Sequence, residues 1–563
     1  MKLKEHIIIQ FSYYLLLFFL LSSCGATRSL RNGPSLIGYN TNIPERVKVS
    51  DSSFVYENNS LYKNKYGLWE LYVEGDPYQI GLITGSLTQE LLLNQEEVFL
   101  SKIDEFVPSK LKKRFLRAFL AWFNRKMHLN IPLEYKIEIF GLSKYSSDDY
   151  NYIAEPYTRA LYLHGAHDIG HALRDLALVG CSSFAAWGDK TEDGSLIIGR
   201  NFDFYVGDEF SKEKIVAFIN PKEGHKYMSI TWGGMIGVVS GMNEHGLTVT
   251  INAGKSKVPL VAKTPISILT KEILQYASTI DEAIDIAKKR QVFVSESLLI
   301  GSAKDKKAKI IEVSPKKFGV FEVTNSNQLI CSNHFQSLEY KKDKNNIKHI
   351  EESHSQYRYE RMEELLIQRE KLTPEGAVNI LRNKEGLNNK LIGYGNEKAL
   401  NQLLAHHSIV FKPEQLIFWV STNPYQLGEY VAYDLNTIFD NSNSDTSFYQ
   451  SKLIIEKDTF QYTKAYMNYE AYRDLSSQVK NKILSKETID SKNLKTLTTL
   501  NPDYWESYYL VGKYYYNMKF YDLALNQFNI AKSKEITTLQ DQREIDLYIK
   551  RTNRKLNNDL KYK

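Results

Sequence analysis

Past Gly180 the chain reads as short apolar or alternating runs, among them "CSSFAAWG", "SLIIGRNFDF", "KIVAFINP", "KYMSITWGG" and "GVVSGMNEHGLTVTINA". A period of two predicts strands, and the Gly, Asp and Asn between runs predict hairpins, with "GMNEHG" as one such turn. Two helices are expected next, over "PISILTKEILQYA" and "TIDEAIDIAKKRQ". The second opens with Thr279 and Glu282 in capping-box spacing. Strands resume with "SLLIGSA", "AKIIEVSP", "GVFEV" and "QLICSNHF". A helix over about Tyr357–Gln368 and a strand pair in "SIVFKPEQLIFWVST" follow. Strands, then helices, then strands imply layered packing around mixed or antiparallel sheets.

On either side the texture is different. "YGLWELYVEGDPYQIGLITGSLTQELL", from Tyr66, reads as a strand, a Gly-Asp-Pro turn and a helix. Amphipathic helical stretches then continue to about Leu178. One of them, "KLKKRFLRAFLAWF", reads as a partly buried helix with a basic outer face rather than as a lipid contact. "NSNSDTSF", Asn441–Phe448, has linker composition. Beyond it the chain is helical and Lys-rich. Gly512, Tyr515, Ala524, Phe528 and Ala531 fall at tetratricopeptide spacing, after Asn501-Pro502. One such unit cannot bury both its faces, so it must pack on neighbouring helices or on the main domain.

The N-terminus has Lys2 and Lys4 before the apolar run "FSYYLLLFFLL". That run is too short to span a bilayer and reads as a signal peptide. It ends in Leu21-Ser22-Ser23-Cys24, which resembles a bacterial lipobox. The resemblance implies acylation of Cys24, a lipid anchor in the cell envelope and, with Gly25 next, the outer membrane of a Gram-negative-type cell. The expected division is a leader over 1–23, a tether over 24–60, a segment before Cys181 over 61–180, a core over 181–440, a linker over 441–455 and a helical region over 456–563.

Composition adds limits rather than chemistry. With 563 residues, 43% hydrophobic and 25% charged, the chain is ordinary globular material for two to four domains. A net charge of +6 is too weak and dispersed for a nucleic-acid partner. There are three cysteines, Cys24, Cys181 and Cys331. A disulfide between the last two, conceivable in an exported chain, would occupy Cys181 and end any nucleophile role for it.

Cys181 follows Gly180 at the head of an apolar run, and Gly199-Arg200-Asn201-Phe202-Asp203 lies just beyond. "GMNEHGLTVTINAG", "CSNHF" and "YRYERM" come later. Together these motifs, from about Tyr66 to Leu435, resemble the penicillin acyltransferase (isopenicillin-N acyltransferase-like) family of cysteine N-terminal-nucleophile hydrolases. Bile-salt hydrolases and acid ceramidase are its cousins. The resemblance implies an α+β, four-layer αββα fold beside the small all-α C-terminal region. It also implies self-cleavage between Gly180 and Cys181.

Physical chemistry fits that reading. A thiolate is the nucleophile, and an internal cysteine needs a separate base. An N-terminal Cys181 would carry its own α-amine, with a pKa of about 7.7–8.0, as base. Gly180 would let the backbone bend for self-attack. Arg200 can lower the thiol pKa, and Asp203 can hold the new α-ammonium. The plain alternative for these two is a structural ion pair. By resemblance Asn252 is an oxyanion donor, Asn333 the second motif asparagine and Arg358 the arginine that braces the nucleophile. Arg361, one helical turn on, competes for that last role. Cys331, two residues before Asn333, is expected on the same strand face.

His334 invites a Cys–His reading. His164, His167 and His171 invite a metal reading, but no Cys or Glu stands beside them in ligand spacing, so no metal and no cofactor is expected. The leading function is a membrane-anchored acyltransferase or amidohydrolase working through a Cys181 thioester. Its substrate would be an acylated small-molecule amide, with water, an amine or the CoA thiol completing the reaction, and an acyl-CoA or an amine is the expected acceptor partner. One alternative is a bile-salt-hydrolase-like or ceramidase-like amidase. Another is a lipid-anchored protein whose tetratricopeptide-like unit binds a partner while the hydrolase fold is inactive.

Overall fold

The computed structural model describes residues 33–106, 109–165, 178–255, 261–440 and 447–561. The leader, Cys24, His167 and His171 lie outside the described residues. Period-two patterning appears as strands. In chain order they are β1 (Val47–Ser50), β2 (Ser53–Tyr56), β3 (Asn59–Lys63), β4 (Trp69–Gly75), β5 (Leu178–Val179), β6 (Ser182–Ala186), β7 (Ile197–Phe202) and β8 (Phe204–Tyr205). The hairpins β9 (Ile215–Pro221), β10 (Tyr227–Thr231), β11 (Ser240–Asn243) and β12 (Leu247–Ala253) follow. After two helices come β13 (Glu296–Ser302), β14 (Lys307–Val313), β15 (Phe318–Phe321) and β16 (Gln328–Cys331). The last three are β17 (His407–Lys412), β18 (Ile417–Ser421) and β19 (Tyr430–Asp434).

These strands form an 11-stranded sheet, β1-β2-β3-β4-β9-β10-β11-β12-β13-β14-β15, and a 6-stranded sheet, β16-β6-β7-β17-β18-β19. A two-stranded ribbon joins β5 to β8. Alternation along each strand separates three apolar layers. Val216, Phe218, Met228 and Leu299 of the large sheet meet Ala185, Ile198, Ile409 and Phe418 of the small one. The opposite face of the large sheet, with Ile215, Ala217 and Val249, packs on helices Pro77–Leu87, Leu133–Leu142, Ile266–Tyr276 and Ile280–Lys289. Phe184, Val410 and Trp419 on the outer face of the small sheet pack on helices Ser355–Ile367 and Pro374–Leu381. The order is therefore helices, sheet, sheet, helices. Thr279 and Glu282 do close a reciprocal capping box on Ile280–Lys289.

Three segments differ from the sequence-based expectation. Residues 47–56, expected within a tether, form edge strands, because Phe54 can turn into the core while Val47 and Val49 stay exposed. Residues 447–455, expected within a linker, lie along the small sheet. Phe448 is buried there, and its amide donates to Glu70 at 2.9 Å. Third, β19 and the helix Pro374–Leu381 were not anticipated, both too short for a convincing period.

The segment before Cys181 is built into the core. β4 pairs with β9 in parallel over seven residues, Trp69 to Gly75. Glu138, in that segment, meets Lys271 of the core at 2.5 Å with both side chains buried. Lys271→Met is expected to cost about 3–5 kcal/mol of stability, because Glu138 is left buried without its cation. Urea unfolding measures it, and the Glu138→Gln/Lys271→Met pair should recover part of the loss.

The C-terminal helices Lys464–Ser485, Ser491–Leu500, Trp505–Asn517, Tyr521–Ser533 and Leu539–Lys561 share one apolar cluster with Leu403, Tyr425 and Leu427 of the core. Gly512 lets two of them approach closely, since a Cβ there would lie 2.6 Å from the Phe528 ring. Among the described residues no helix is long and apolar enough to cross a membrane. The basic helix Lys110–Asn124 buries Phe123 against Phe293 and leaves Leu111 and Phe115 exposed.

Candidate active site

The register of two strand pairs builds the site. β5 pairs with β8, and β6 with β7, so the chain passes from one pairing to the other at Gly180–Cys181 on one side and Phe202–Asp203 on the other. The Gly180 amide donates to the Asp203 carbonyl at 3.0 Å. Arg200 lies opposite Ser183. With side chains alternating, Cys181 and Ser183 share a face with Arg200 and Phe202. Asn201 points the other way and donates to the carbonyls of Leu381 and Leu400, each at 2.9 Å.

Cys181 is fully buried and held at three points. Its amide donates to Asn333 Oδ1 at 3.0 Å, its carbonyl accepts from Arg358 at 2.6 Å, and its Sγ lies 3.7 Å from the Arg200 guanidinium. Arg358 also donates to Ser182 Oγ at 2.8 Å and to Asn333 Oδ1 at 2.5 Å. Asn333 spends its own amide on the Ala253 carbonyl, at 2.9 Å. One asparagine and one arginine thus fix the backbone on both sides of the Cys181 Cα. Burial pushes the thiol up to about 11, against the pull of Arg200. Asp203 and Glu296, the latter buried on β13, push it the same way as burial.

Arg200 is not paired with Asp203. Its guanidinium donates to the carbonyls of Val239 at 2.8 Å and Ile251 at 2.5 Å, and to Ser240 Oγ. That hydrogen-bonding fixes a chain of tautomers. Arginine only donates, so the Ser240 hydroxyl is free to donate to His407 Nε2, 2.8 Å away. His407 then carries its proton on Nδ1, facing His406 Nδ1 at 2.9 Å. Burial holds both rings well below the ordinary histidine range, so both are neutral.

Asp203 is buried, and its Oδ1 has no hydrogen-bond partner among the described residues. Its Oδ2 accepts from Gln402 at 3.3 Å. Burial lifts the carboxyl to about 8, although Arg358 and Arg200 pull it down. An acid raised from 3.8 in the unfolded chain keeps its proton longer when folded, so stability falls as pH rises from about 4 to about 8. The slope is up to about 1.4 kcal/mol per pH unit. In an uncut Cys181→Ala background, Asp203→Asn is expected to raise stability more at pH 8 than at pH 5, read by urea unfolding. Equal gains at both would count against this assignment.

Asn252, on β12, accepts from Ser183 at 2.8 Å and donates to the Cys331 carbonyl at 3.0 Å, between the sheets and beside the nucleophile's strand. Arg361 does not reach the site, bonding instead to Asn383, Glu364 and Asn389. Cys331 ends β16, buried and not disulfide-bonded, as Cys181 is not. Asn333 lies past the end of that strand, so strand alternation does not relate the two. His334 bonds to Ser355 at 2.8 Å, and burial lowers it to about 4. His164 takes the Ile236 amide on Nε2 and faces the Ala160 carbonyl with Nδ1, a satisfied core histidine.

Among the described residues, one group has its ligand atoms within 4.8 Å of each other, namely His225, Glu244 and His245 at adjacent hairpin tips. Gln402, Ser240, His406 and His407 were not identified from sequence. "HH" before a strand was their single visible trace.

A small cleft of about 20 Å³ lies between Leu92, Gln95, Glu96, Phe99 and Leu142 of the preceding segment and Trp232 and Met235. Trp232 stacks on Phe202 and Phe204 beside Cys181 in the same cluster.

Residues 190–423 match the model of the family described as Acyl-coenzyme A:6-aminopenicillanic acid acyl-transferase. An uncharacterized protein of Archaeoglobus fulgidus is 24% identical over 276 residues, 45% of this chain and 45% of that protein. Protein dcd1B of Dictyostelium discoideum is 24% identical over 290 residues, 47% of this chain and 55% of that one. The chain thus spans about half the length of these curated relatives. Among solved structures, a Caenorhabditis elegans N-acylethanolamine-hydrolyzing acid amidase ortholog has 18% identity and a TM-score of 0.30, covering 42% of this chain and 93% of that one. A mutant of conjugated bile acid hydrolase from Clostridium perfringens has 15% identity and a TM-score of 0.32, covering 48% and 96%. The family match covers less than half of the chain and begins after Cys181.

Proposed function

We propose that this chain is a cysteine N-terminal-nucleophile acyltransferase or amidohydrolase that cuts itself between Gly180 and Cys181. The observation that carries the reading is the three-point hold on Cys181 by Asn333, Arg358 and Arg200. In the cut enzyme the Cys181 α-amine takes the thiol proton. The thiolate attacks an amide carbonyl, and the amine part leaves. The acyl group stays as a thioester until water, an amine or an acyl-acceptor thiol takes it. Asp203, with its unpartnered Oδ1, would hold the α-ammonium by a charge-assisted bond. Asn252 and Asn333 would donate to a developing oxyanion through the second N–H of each side-chain amide, the first being held by the Cys331 and Ala253 carbonyls.

The cleft at Trp232 is lined largely from residues 92–163, outside the family-model match. At about 20 Å³, with Gln95 and Glu96 in its lining, it is too small to fix the acyl group, so the preference for a hydrocarbon acyl chain rests on the anchor expected at Cys24. A lipid on Cys24 would place the enzyme on a membrane, where such substrates partition. Purified protein is to be incubated with N-acyl amino acids of graded chain length, with and without an amine acceptor. Acyl release well above that of Cys181→Ala, rising with chain length, is expected. Release no greater than that control would sink the reading.

A further inference from the structure

Gln402 reaches the carbonyl of the bond to be cut and the carboxylate of Asp203. Its side-chain Nε2 donates to the Gly180 carbonyl oxygen at 3.5 Å and to Asp203 Oδ2 at 3.3 Å. All three residues are buried. Glycine at position 180 is explained by this contact rather than by backbone bending. Gly180 has no positive φ, and a Cβ there would lie 2.7 Å from Gln402 Nε2. Any other residue would push the amide off the scissile carbonyl.

We propose that Gln402 is the oxyanion donor of self-cleavage at Gly180–Cys181, a role that rests on the reading that this bond is cut. In that step Cys181 Sγ adds to the Gly180 carbonyl carbon, and the carbonyl oxygen takes up negative charge facing the Gln402 amide. The Sγ–C bond forms and the C–N bond breaks. The thiol proton ends on the departing Cys181 nitrogen, which becomes the free amine. Water then hydrolyses the Gly180 thioester, returning the thiol and leaving a carboxyl on Gly180. The hold on Asp203 ties the donor to the group that next receives the amine. The charged and titratable groups around Asp203 are Arg200, Arg358, Cys181 and Tyr430. None of them donates to the scissile oxygen among the described residues, so Gln402 has no evident substitute.

The test follows processing of the full chain, made in a cell-free reaction, on denaturing gels over time. Gln402→Met keeps the shape and removes the donor. It is expected to slow cleavage on the order of 10²-fold, as loss of one oxyanion donor does elsewhere. Gly180→Ala should slow it comparably. Once cut, the Gln402→Met enzyme should lose far less turnover, under about tenfold, because Gly180 no longer carries the reacting carbonyl. Equal losses in processing and turnover, or processing at the wild-type rate, would overturn the proposal. If Gln402→Met does not fold, Gln402→Asn decides. A shortened amide should cleave slowly but measurably, and wild-type speed would refute the role. Wild type that stays uncut, like Cys181→Ala, would sink the self-cleavage reading instead, so the two failures are distinguishable.

Discussion

Cys181→Ala is expected to run on a denaturing gel as one chain and to show acyl turnover at background. Wild type is expected to give two fragments, the larger beginning Cys-Ser-Ser-Phe. The geometry sets the size of this effect. The Cys181 amide donates to Asn333 and its carbonyl accepts from Arg358, and alanine keeps both of these backbone bonds. Only the Sγ beside Arg200 is lost. The substitution therefore removes the nucleophile and little else, and folding should survive it. Cys181→Ser sharpens the point. A hydroxyl is far less acidic than the thiol, and Arg200, the side chain at Sγ, is a cation that cannot take its proton, so processing should be slower by several orders of magnitude. Thermal melting of the alanine variant checks that the fold persists. Two wild-type fragments in the alanine variant would mean that an outside protease makes the cut.

The cut should not release the segment before it. β4 sits between β3 and β9, and Glu138 holds Lys271, so an N-terminal fragment ending at Gly180 stays embedded in the large sheet. The fragments should co-elute under native conditions and part only in denaturant.

The site residues legible in the sequence sit in motifs that carry the family resemblance, and those on β6 and β7 also follow strand alternation. Arg200 and Phe202 fall on the face of Cys181 because β7 pairs with β6 with Arg200 opposite Ser183, across the connection 187–196. Gly180, Cys181 and Asp203 belong to the same local pairing. Gln402, His406 and His407 are different. They reach Gly180, Asp203 and Ser240 across about 200 residues of intervening chain, and no local period encodes such contacts. The parallel β4–β9 pairing was hidden for the same reason. The tether and linker expectations failed on single buried aromatics, Phe54 and Phe448, set in otherwise polar stretches. Polar composition marks a loop only where no side chain is drawn into the core.

Arg358 and Arg361 could not be separated along one helix, yet their substitutions should have very different outcomes. Arg358→Leu is expected to block processing and to lower stability by about 3–5 kcal/mol. Its guanidinium is fully buried and serves the Cys181 carbonyl, Ser182 Oγ, Asn333 Oδ1 and, through Nε, His354 Nδ1 at 3.3 Å. Leucine leaves these acceptors in the core without a donor, and each unsatisfied group costs about 1–3 kcal/mol. Asn333 Oδ1 keeps the Cys181 amide, but the Cys181 carbonyl loses its donor, so residue 181 is held on one side only. Asp203 also loses the cation that most lowers its pKa. Arg361→Leu removes bonds to Asn383, Glu364 and Asn389, none of which touches Cys181. It should loosen the loop after helix Pro374–Leu381 and lower the melting temperature, while processing stays within a few-fold of wild type. Rates from gel time courses, set beside unfolding curves, separate the two arginines. If both variants lose processing in proportion to stability, Arg358 is a structural arginine and the bracing role assigned to it is wrong.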